Sequence, residues 1–578
     1  MNAYEGVAMQ KLPLRKARQI LTEETSSTGE LTKTAIKQQL EGNIQWVQQY
    51  FSRCSDLLIR RFLIGEQTPC QAVLLYLDGM TDSNVVHDNI LAPLMRPIWI
   101  DAARSVNGAQ TQEKLSCIQT AADQNKSYIA SDDSTFDLFA FVYAQLLPAG
   151  EVSYTDTLDD AVQAMMNGDV VLLLDDTVTG FIIDAKGFPH RSMGEPRNEK
   201  VLRGPQEAFV EAMRVNTAML RRRLHTGQLK LEQISLGKTT QTQVSIAYLD
   251  GIANANIIAE VRRRLNNIGQ VDSILNASCV EQYIEDRPFS IFPQVQYTER
   301  PDKAAAALLE GRVALIVDGS PDVMLLPVLF TQLLQSPEDY YNRMIPATFV
   351  RWIRYIGLFI ATTLPSLYVA VTSYHPELLP LNLLLSITTA REGVPFPAFV
   401  EALMMELAFE LLREASIRMP GAIGNTIGIV GALVIGDAAV SARLVAPQMV
   451  IVVAITAIGS FAIPSVEASY PIRLIRFPLM ILAASLGLYG VTLGWMIVLM
   501  YLVGMRTFGF PYFQPLAPMK TMELLDLAVR APRWRMMRVP LFRETETQVH
   551  KDTDKWYSYF HRMIQPLYWK GDDSRGQQ

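Results

Sequence analysis

Apolar residues concentrate in one block of the chain, from Trp352 to Met505. Four runs in this block read as membrane spans, at 352–372, 421–440, 447–464 and 477–503. The last run carries no charge, and its 27 positions (503 − 477 + 1) reach about 40 Å at about 1.5 Å per residue. A hydrocarbon core is about 30 Å thick, so the pattern predicts an α-helical transmembrane domain over 352–505.

A shorter apolar stretch and a charged helix, together residues 378–417, separate the first two spans. Helical spacing places Glu406, Glu410 and Arg413 on one stripe, and the same helix carries Glu401. Charges at membrane depth are costly and usually face a water-filled cavity or one another. In one interpretation the segment is re-entrant, and these four residues line a pore in a ring of subunits. In the other, the helix lies flat in the membrane interface with its carboxylates in water.

The first 350 residues contain an internal duplication. Tyr76–Val86 matches Tyr248–Ile258 at an offset of 172 (250 − 78). Asn167–Asp175 matches Glu310–Asp318 at an offset of 143 (318 − 175). The mismatch of 29 predicts an insertion in the first copy around residues 100–135.

Both copies show short apolar runs that end in aspartate-containing turns and lead into helices, a pattern typical of buried strands. The expected fold is therefore a soluble α/β region of two related subdomains, residues 41–230 and 231–335, followed by the helical transmembrane domain. Residues 1–40 are polar and are interpreted as a mobile tail.

Residues 336–351 are expected to form a helix that couples the soluble region to the membrane, because Ser336 and Pro337 provide a helix start and acidic residues come next. Two arginines flank the first span, and a proline inside it is expected to kink the helix. The gating or coupling candidates are Glu338, Asp339, Arg351, Arg354 and Pro365.

Composition narrows the function classes. The net charge of −6 gives no indication of nucleic-acid binding. The four cysteines and six histidines are scattered, so neither a disulfide framework nor a metal site is indicated, and no cofactor is expected. The sequence shows no nucleophile–base pair and no phosphate-binding loop, so the chain is not expected to be an enzyme.

Charge also bears on topology. The first 30 residues lack a signal-peptide core, so the N-terminal domain is expected to stay in the cytoplasm. The segment from Met505 onward carries 12 Lys/Arg against 8 Asp/Glu, so the positive-inside rule makes 506–578 a basic cytoplasmic tail. The same rule would also keep four further arginines inside, which four spans cannot achieve; they are Arg413, Arg418, Arg473 and Arg476.

Motifs in a fixed order run from about Leu40 to about Arg538. They cover residues 43–48, 55–57, 76–79, 336–341, 351–355, 373–380, 391–397, 431–436 and 447–454. On these motifs the chain resembles the A subunit of the GerA/SpoVAF family of spore germination receptors. Arg443 and Ala446 depart from the family pattern, which has Gly and Ser near the third span.

The resemblance implies a multi-pass protein of the spore inner membrane that acts with a transporter-like B subunit and a lipoprotein C subunit. It also implies a homo-oligomeric ring that conducts monovalent cations when the germinant binds. Two alternatives stay open: a non-conducting signalling or scaffold subunit of the same complex, and the sporulation-stage paralogue of the family. A transporter is disfavoured because the repeat lies in the soluble region.

Overall fold

The structure, a computed structural model, describes residues 34–64, 70–95, 142, 151–187, 194–269, 271–418, 431, 434, 436–519 and 526–530. Four expected features lie wholly or mostly outside these residues: the polar tail, the insertion near 100–135, the span over 421–440 and the basic tail. The chain divides into two units, one of residues 1–188 with 225–227, the other of residues 189–224 with 228–578.

The first unit is built on a five-stranded antiparallel sheet in the order β1-β2-β4-β5-β3. Its strands are β1 Leu57–Ile64, β2 Cys70–Leu77, β3 Val152–Thr155, β4 Val170–Leu174 and β5 Gly180–Ile183. Its helices are α1 Leu40–Tyr50, α2 (the consecutive pieces Ser83–Val85, Val86–Leu91 and Ala92–Leu94) and α3 Leu158–Met166. All five residues of β4 are buried, which explains why its sequence is continuously apolar.

The second unit begins with a sheet of the same order, β6-β7-β9-β10-β8. Its strands are β6 Leu229–Leu236, β7 Thr242–Leu249, β8 Gln296–Thr298, β9 Val313–Val317 and β10 Val323–Leu326. Its helices are α4 Met213–Arg223, α5 Ala255–Ile268, α6 Ala277–Ile284 and α7 Pro301–Leu309. Strand β7 starts 172 residues after β2 (242 − 70) and β9 starts 143 after β4 (313 − 170), so the predicted duplication and fold class are confirmed.

The elements that come after the apolar runs differ in part from the expectation. Helices come after β2 and β7 as expected, but β4 and β9 each lead directly into an antiparallel neighbour, β5 or β10. Helix α4, which a boundary at residue 230 would assign to the first copy, packs its Met219 and Leu220 against Leu229 and Leu231 of the second sheet. The second copy therefore starts before α4.

The aspartates that end β4 and β9 fix a helix in each copy. Asp175 accepts a hydrogen bond from the backbone N–H of Leu40 at 3.2 Å, and Asp318 accepts one from Met213 at 3.1 Å. Leu40 and Met213 are the first residues of α1 and α4. A carboxylate at a helix N-terminus satisfies an otherwise unpaired amide and complements the helix dipole. These aspartates therefore hold helix to sheet.

A buried asparagine repeats in the same way. Asn43 bonds both the N–H and the carbonyl of Lys37, at 2.9 and 2.7 Å. Asn216 bonds both groups of Val210, at 2.8 and 2.6 Å. A side-chain amide can satisfy a backbone donor and acceptor at once, so each copy closes the same loop before its first helix.

The rest of the second unit is helical. After the single turn α8 Glu338–Tyr341 come α9 Met344–Tyr374, α10 Leu381–Arg391, α11 Ala398–Arg418, α12 Pro447–Phe461 and α13 Val466–Val503, then a small hairpin of β11 Arg506–Thr507 and β12 Phe510–Pro511. By length and composition α9 and α13 could cross a membrane, and α12 is a shorter apolar helix. The segment expected as one coupling helix over 336–351 is thus interrupted before Met344, where α9 begins.

Helix α13 reverses direction at Gly487, whose φ of 63° and ψ of −141° are non-helical and suit glycine alone. A Cβ at Gly490 would overlap the carbonyl of Leu482, and one at Gly494 would overlap the side chain of Leu479. Residues 15 apart in a straight helix would be separated by about 22 Å. The single span expected over 477–503 is therefore replaced by two antiparallel legs, here named the first leg (466–486) and the second leg (488–503).

Both legs pack along α9. Tyr374 donates to the Ala484 carbonyl at 2.6 Å, so the end of α9 meets the end of the first leg. Trp495 donates to Thr363 at 3.0 Å and stacks on Phe359, so the second leg returns along α9 in the opposite direction. The two legs, together called the helical hairpin below, therefore begin and end near the same end of α9.

Candidate functional site: a ladder of ion pairs

Helix α11 is buried by neighbouring helices on the face that carries two of its acids, Glu401 and Glu406, whereas Leu407 and Leu411 are exposed. Ala402 and Met405 belong to one cluster with Val369 of α9, Met449 of α12 and Met480 of the first leg. This packing turns the acidic stripe of α11 towards the interior of the helical region and towards arginines on other helices.

The central pair of that stripe is Glu406 with Arg476. Their side chains are only 1% and 3% exposed, and Arg476 Nη1 donates to the Glu406 carboxylate. The next pair is Glu410 with Arg473, whose nitrogen and oxygen are 2.7 Å apart. On α11 the acids are four residues apart, about 6 Å, and on the antiparallel first leg the arginines are three apart, about 4.5 Å. The two spacings therefore match rung to rung.

Glu401 forms the third rung. It is fully buried, lies 3.0 Å from Arg391 of α10, and accepts a hydrogen bond from the backbone N–H of Ala446 at 2.9 Å. Ala446 is the N-cap residue of α12. One carboxylate thus joins α10, α11 and the positive end of α12, as expected for an anion at a helix N-terminus.

Pro365 contributes to the ladder through a carbonyl rather than through its side chain. Proline has no N–H, so in α9 the carbonyl of Ala361, four residues earlier, loses its usual helical donor. Arg476 Nε donates to that carbonyl at 2.9 Å. The proline therefore supplies the acceptor that orients the Arg476 guanidinium beside Glu406. Helix α9 continues through this position.

Arg413, the fourth pore-lining candidate, lies over the ring of Phe461 with its guanidinium carbon 5.0 Å from the ring centre. The carboxylates of Glu401, Glu406 and Glu410 pair instead with arginines of neighbouring helices. Neither interpretation of the sequence contained this arrangement, in which the chain neutralises its own acidic stripe. The ladder is defined here as the pairs Arg391–Glu401, Arg476–Glu406 and Arg473–Glu410.

The arginines of the ladder were not among the candidate site residues. A signal for two of them existed, because Arg473 and Arg476 were among the arginines that the positive-inside rule could not place. Because Arg473 and Arg476 pair with Glu410 and Glu406 among the helices, they do not have to lie in a cytoplasmic loop.

The coupling candidates form a second cluster at the start of α9. Asp339 is buried and lies 2.7 Å from Arg354 and 3.4 Å from Arg351. Arg351 also donates to the backbone carbonyl of Asp526, and the hydroxyl of Tyr340 donates to the Asp526 carboxylate at 2.9 Å. The cluster thus ties α8, α9 and the segment after the small β-hairpin to one another.

Glu338 takes no part in this cluster. Its carboxylate accepts a hydrogen bond from the backbone N–H of Leu202 at 2.7 Å. The two neighbouring acids therefore have different partners, and among the coupling candidates Asp339, Arg351 and Arg354 are the three that the structure brings together.

After the second leg the chain packs on the second α/β subdomain. Tyr512 donates to the Pro293 carbonyl at 2.8 Å, Thr507 donates to the Val328 carbonyl at 3.0 Å, and the N–H of Phe508 donates to Asp286 at 2.7 Å. Nearby, burial raises the pKa of Glu285 to about 7, and the neighbouring charge of Glu281 adds to the rise.

A duplicated antiparallel α/β region is joined to apolar helices, two of them long enough to cross a membrane, and several buried charges of these helices are paired. This combination indicates a membrane-associated protein. The chain belongs to the GerA family, because the model described as Bacillus/Clostridium GerA spore germination protein matches residues 45–542.

Two relatives in Bacillus subtilis (strain 168) are similar over most of their length. The chain is 39% identical over 505 residues to the uncharacterized membrane protein YfkQ, covering 87% of this chain and 91% of that protein. It is 38% identical over 520 residues to spore germination protein KA, covering 90% and 89%. A solved structure, the N-terminal domain of the A subunit of the Bacillus megaterium spore germinant receptor GerK3, matches 52% of this chain and 98% of its own at 29% identity and a TM-score of 0.37.

Proposed function

We propose that this protein is the membrane subunit of a nutrient-germinant receptor and forms the oligomeric channel through which monovalent cations leave the spore. The ladder is the observation that carries the proposal. Three carboxylates and three arginines lie among apolar helices, and ionisable groups at membrane depth characteristically mark ion pathways. Membership of the GerA family supports the receptor context.

In this proposal the paired ladder is the resting state. Glu406 Oε1 and Arg476 Nη2 have no hydrogen-bond partner among the residues the structure describes, so this rung has one acceptor and one donor left for water. Conduction would need carboxylates released from arginine, and a germinant-bound partner would favour that state by binding it more tightly. A shift from 1:99 to 99:1 requires about 5.5 kcal/mol of differential binding.

The partners proposed are a transporter-like B subunit that binds the germinant, a lipoprotein C subunit and further copies of this chain in a ring. The proposed location is the spore inner membrane, crossed several times, with the N-terminal domain and the C-terminal tail in the cytoplasm. No catalytic activity is assigned to the protein.

Germinant-triggered ion efflux tests the channel. Spores or liposomes that carry the complete complex are compared with the Glu406→Gln/Glu410→Gln variant at matched protein level. A changed efflux rate or ion selectivity supports a path along α11. The matched control is Glu414→Gln on the same helix, whose carboxylate is 58% exposed and paired with Arg418. Unchanged efflux in the double variant would remove the ladder from the conducting path.

A second function, a non-conducting signalling or scaffold subunit, is favoured by one observation. Each ladder carboxylate already has an arginine partner within the chain, as structural ion pairs do. The variant Glu406→Leu/Arg476→Met separates the two functions because it removes both charges together. Normal folding with altered efflux supports the channel, whereas normal folding with normal efflux supports the scaffold.

The sporulation-stage paralogue is the remaining alternative. Deletion of the gene distinguishes it by timing, because a receptor subunit is needed when nutrient is added to finished spores. Co-purification with a transporter-like subunit would favour the receptor, and a defect confined to sporulation would favour the paralogue.

A further inference from the structure

The loop between α6 and β8 presents two large apolar side chains outwards. Phe289 is fully exposed (101%) and Ile291 is 43% exposed. Together they form an apolar patch at the tip of the loop, and exposed apolar patches mark interaction sites more often than single apolar residues do.

The loop has a defined shape. The side-chain amide of Gln294 accepts from the N–H of Arg287 at 3.1 Å and donates to its carbonyl at 2.7 Å. The hydroxyl of Ser290 donates to the Phe292 carbonyl at 3.0 Å and accepts from its N–H at 3.1 Å. These bonds hold both sides of the tip, so the exposure of Phe289 results from a fixed backbone conformation.

The same loop is attached to the end of the second leg. Arg287 donates to the carbonyl of Gly504 at 3.2 Å, and the ring of Phe292 stacks on Tyr501 with the ring centres 6.0 Å apart. Val503 is the last helical residue of that leg. The exposed tip therefore lies beside the point where the apolar second leg ends.

We propose that residues 287–291 are a membrane-interface anchor. Phe289 and Ile291 enter the upper acyl chains of the bilayer, and the exposed guanidinium of Arg287 meets lipid phosphate. The proposal rests on the proposed function, in which the apolar helices, including the helical hairpin of α13, cross the membrane.

Three observations favour a lipid surface over a protein partner. The tip adjoins the end of an apolar leg, where a bilayer surface would be. An apolar tip next to an arginine has the chemistry of residues that sit at the headgroup level. Exposed aromatic residues also occur near the start of α9, where Trp352 is 52% exposed, and aromatic belts are typical of membrane interfaces.

Site-directed fluorescence tests the anchor. The full chain, with Cys54, Cys70, Cys117 and Cys279 replaced by serine, is reconstituted in liposomes of phosphatidylcholine and phosphatidylglycerol. Phe289→Cys carries an environment-sensitive dye. Leu202→Cys is the control, since Leu202 is 99% exposed in the same unit and its backbone N–H bonds Glu338 of α8. Ile481→Cys and Ile497→Cys report on the two legs.

We expect lipid-borne nitroxide to quench the dye at 289 and iodide to quench it several-fold less than the dye at 202. Iodide quenching at 289 equal to that at 202, with both legs accessible to lipid, overturns the anchor and leaves the membrane segment intact. Legs inaccessible to lipid would instead contradict the membrane placement in the proposed function. Protection of 289 from both quenchers shows that protein covers the tip, which also overturns the proposal.

A second measurement needs no substitution, in case the cysteine-free chain does not fold. The unmodified chain is irradiated in liposomes that contain a phospholipid with a diazirine near the glycerol esters, and adducts are mapped by mass spectrometry. Adducts on the peptide that contains 287–291, and none on the peptide that contains Leu202, support the anchor. Adducts on the hairpin without any on 287–291 overturn it.

Discussion

Removal of one member of the Glu406–Arg476 pair should destabilise the helical region far more than removal of both. The two side chains are 1% and 3% exposed, so a single substitution leaves one charge buried without its counter-ion. Breaking a buried pair in this way costs about 3–5 kcal/mol, whereas replacing both members with apolar residues of similar volume is often neutral or stabilising. Glu406→Leu and Arg476→Met should each be strongly destabilising, and the double variant should recover most of the loss.

The assay is thermal unfolding of the purified chain in detergent, with the folded fraction monitored by size-exclusion chromatography. For each single variant we expect a fall in Tm on the order of 5–10 °C, and for the double variant a fall of a few degrees at most. The control is Glu414→Gln, because Glu414 and Arg418 are 58% and 78% exposed and an exposed pair of this spacing is worth about 0.3–0.5 kcal/mol.

Two results would refute this reasoning. If Glu406→Leu costs no more than the Glu414 control, the carboxylate is hydrated and the rung is not buried in solution. If the double variant loses as much as the two single variants together, the residues act independently and no ion pair couples them.

Single residues give three further predictions. Pro365→Ala restores a backbone N–H that competes with Arg476 for the Ala361 carbonyl. The variant should therefore be stabilised by much less than the ~3 kcal/mol usual for removing proline from a helix, as measured by the same unfolding assay. Gly487→Ala should lower the yield of folded chain, because the added Cβ would lie 2.9 Å from the Cβ of Tyr374. The backbone φ of 63° at position 487 would also strain an alanine. Glu285→Gln should raise Tm above pH 7 and leave it nearly unchanged below pH 4.5.

The sign of the Glu285 effect comes from linkage. Its pKa is about 7 in the folded chain and about 4.3 when unfolded, so between these values the folded state binds more protons and stability falls as pH rises. A Tm difference between variant and wild type that is constant from pH 4.5 to 8 would contradict this.

For the Gly487 prediction, Gly436→Ala is the control, since the added Cβ would make only an ordinary contact of 3.4 Å with Val450.

The sequence predicted the duplication because the repeated motifs coincide with central strands, whose burial restricts them to apolar residues. It did not predict the role of the aspartates that end β4 and β9. Each caps a helix that lies more than 100 positions earlier in the chain, with separations of 135 for Asp175 and 105 for Asp318. Local pattern identified the turn, but the partner is set by how the sheet folds.

The helical region shows the same limit. Spacing along α11 predicted the acidic stripe correctly, yet the partners of Glu406 and Glu410 are 70 and 63 residues further on. Hydropathy also could not reveal the reversal at Gly487, because the run on either side is continuously apolar and composition carries no direction. Gly490 and Gly494, which permit the close approach of the legs, were the local clue.

The ladder has a consequence for how the protein is synthesised. The ribosome completes α11, with the three carboxylates of the ladder, before the arginines of the first leg exist. On translocon scales a charged residue at the centre of a helix costs about 2.5–3.5 kcal/mol, so α11 alone would not enter lipid. In the membrane placement proposed above, the helix would have to wait beside the translocon until Arg473 and Arg476 emerge, and the charged helices would then enter the bilayer together. A nascent chain arrested before residue 473 should leave α11 outside the membrane core.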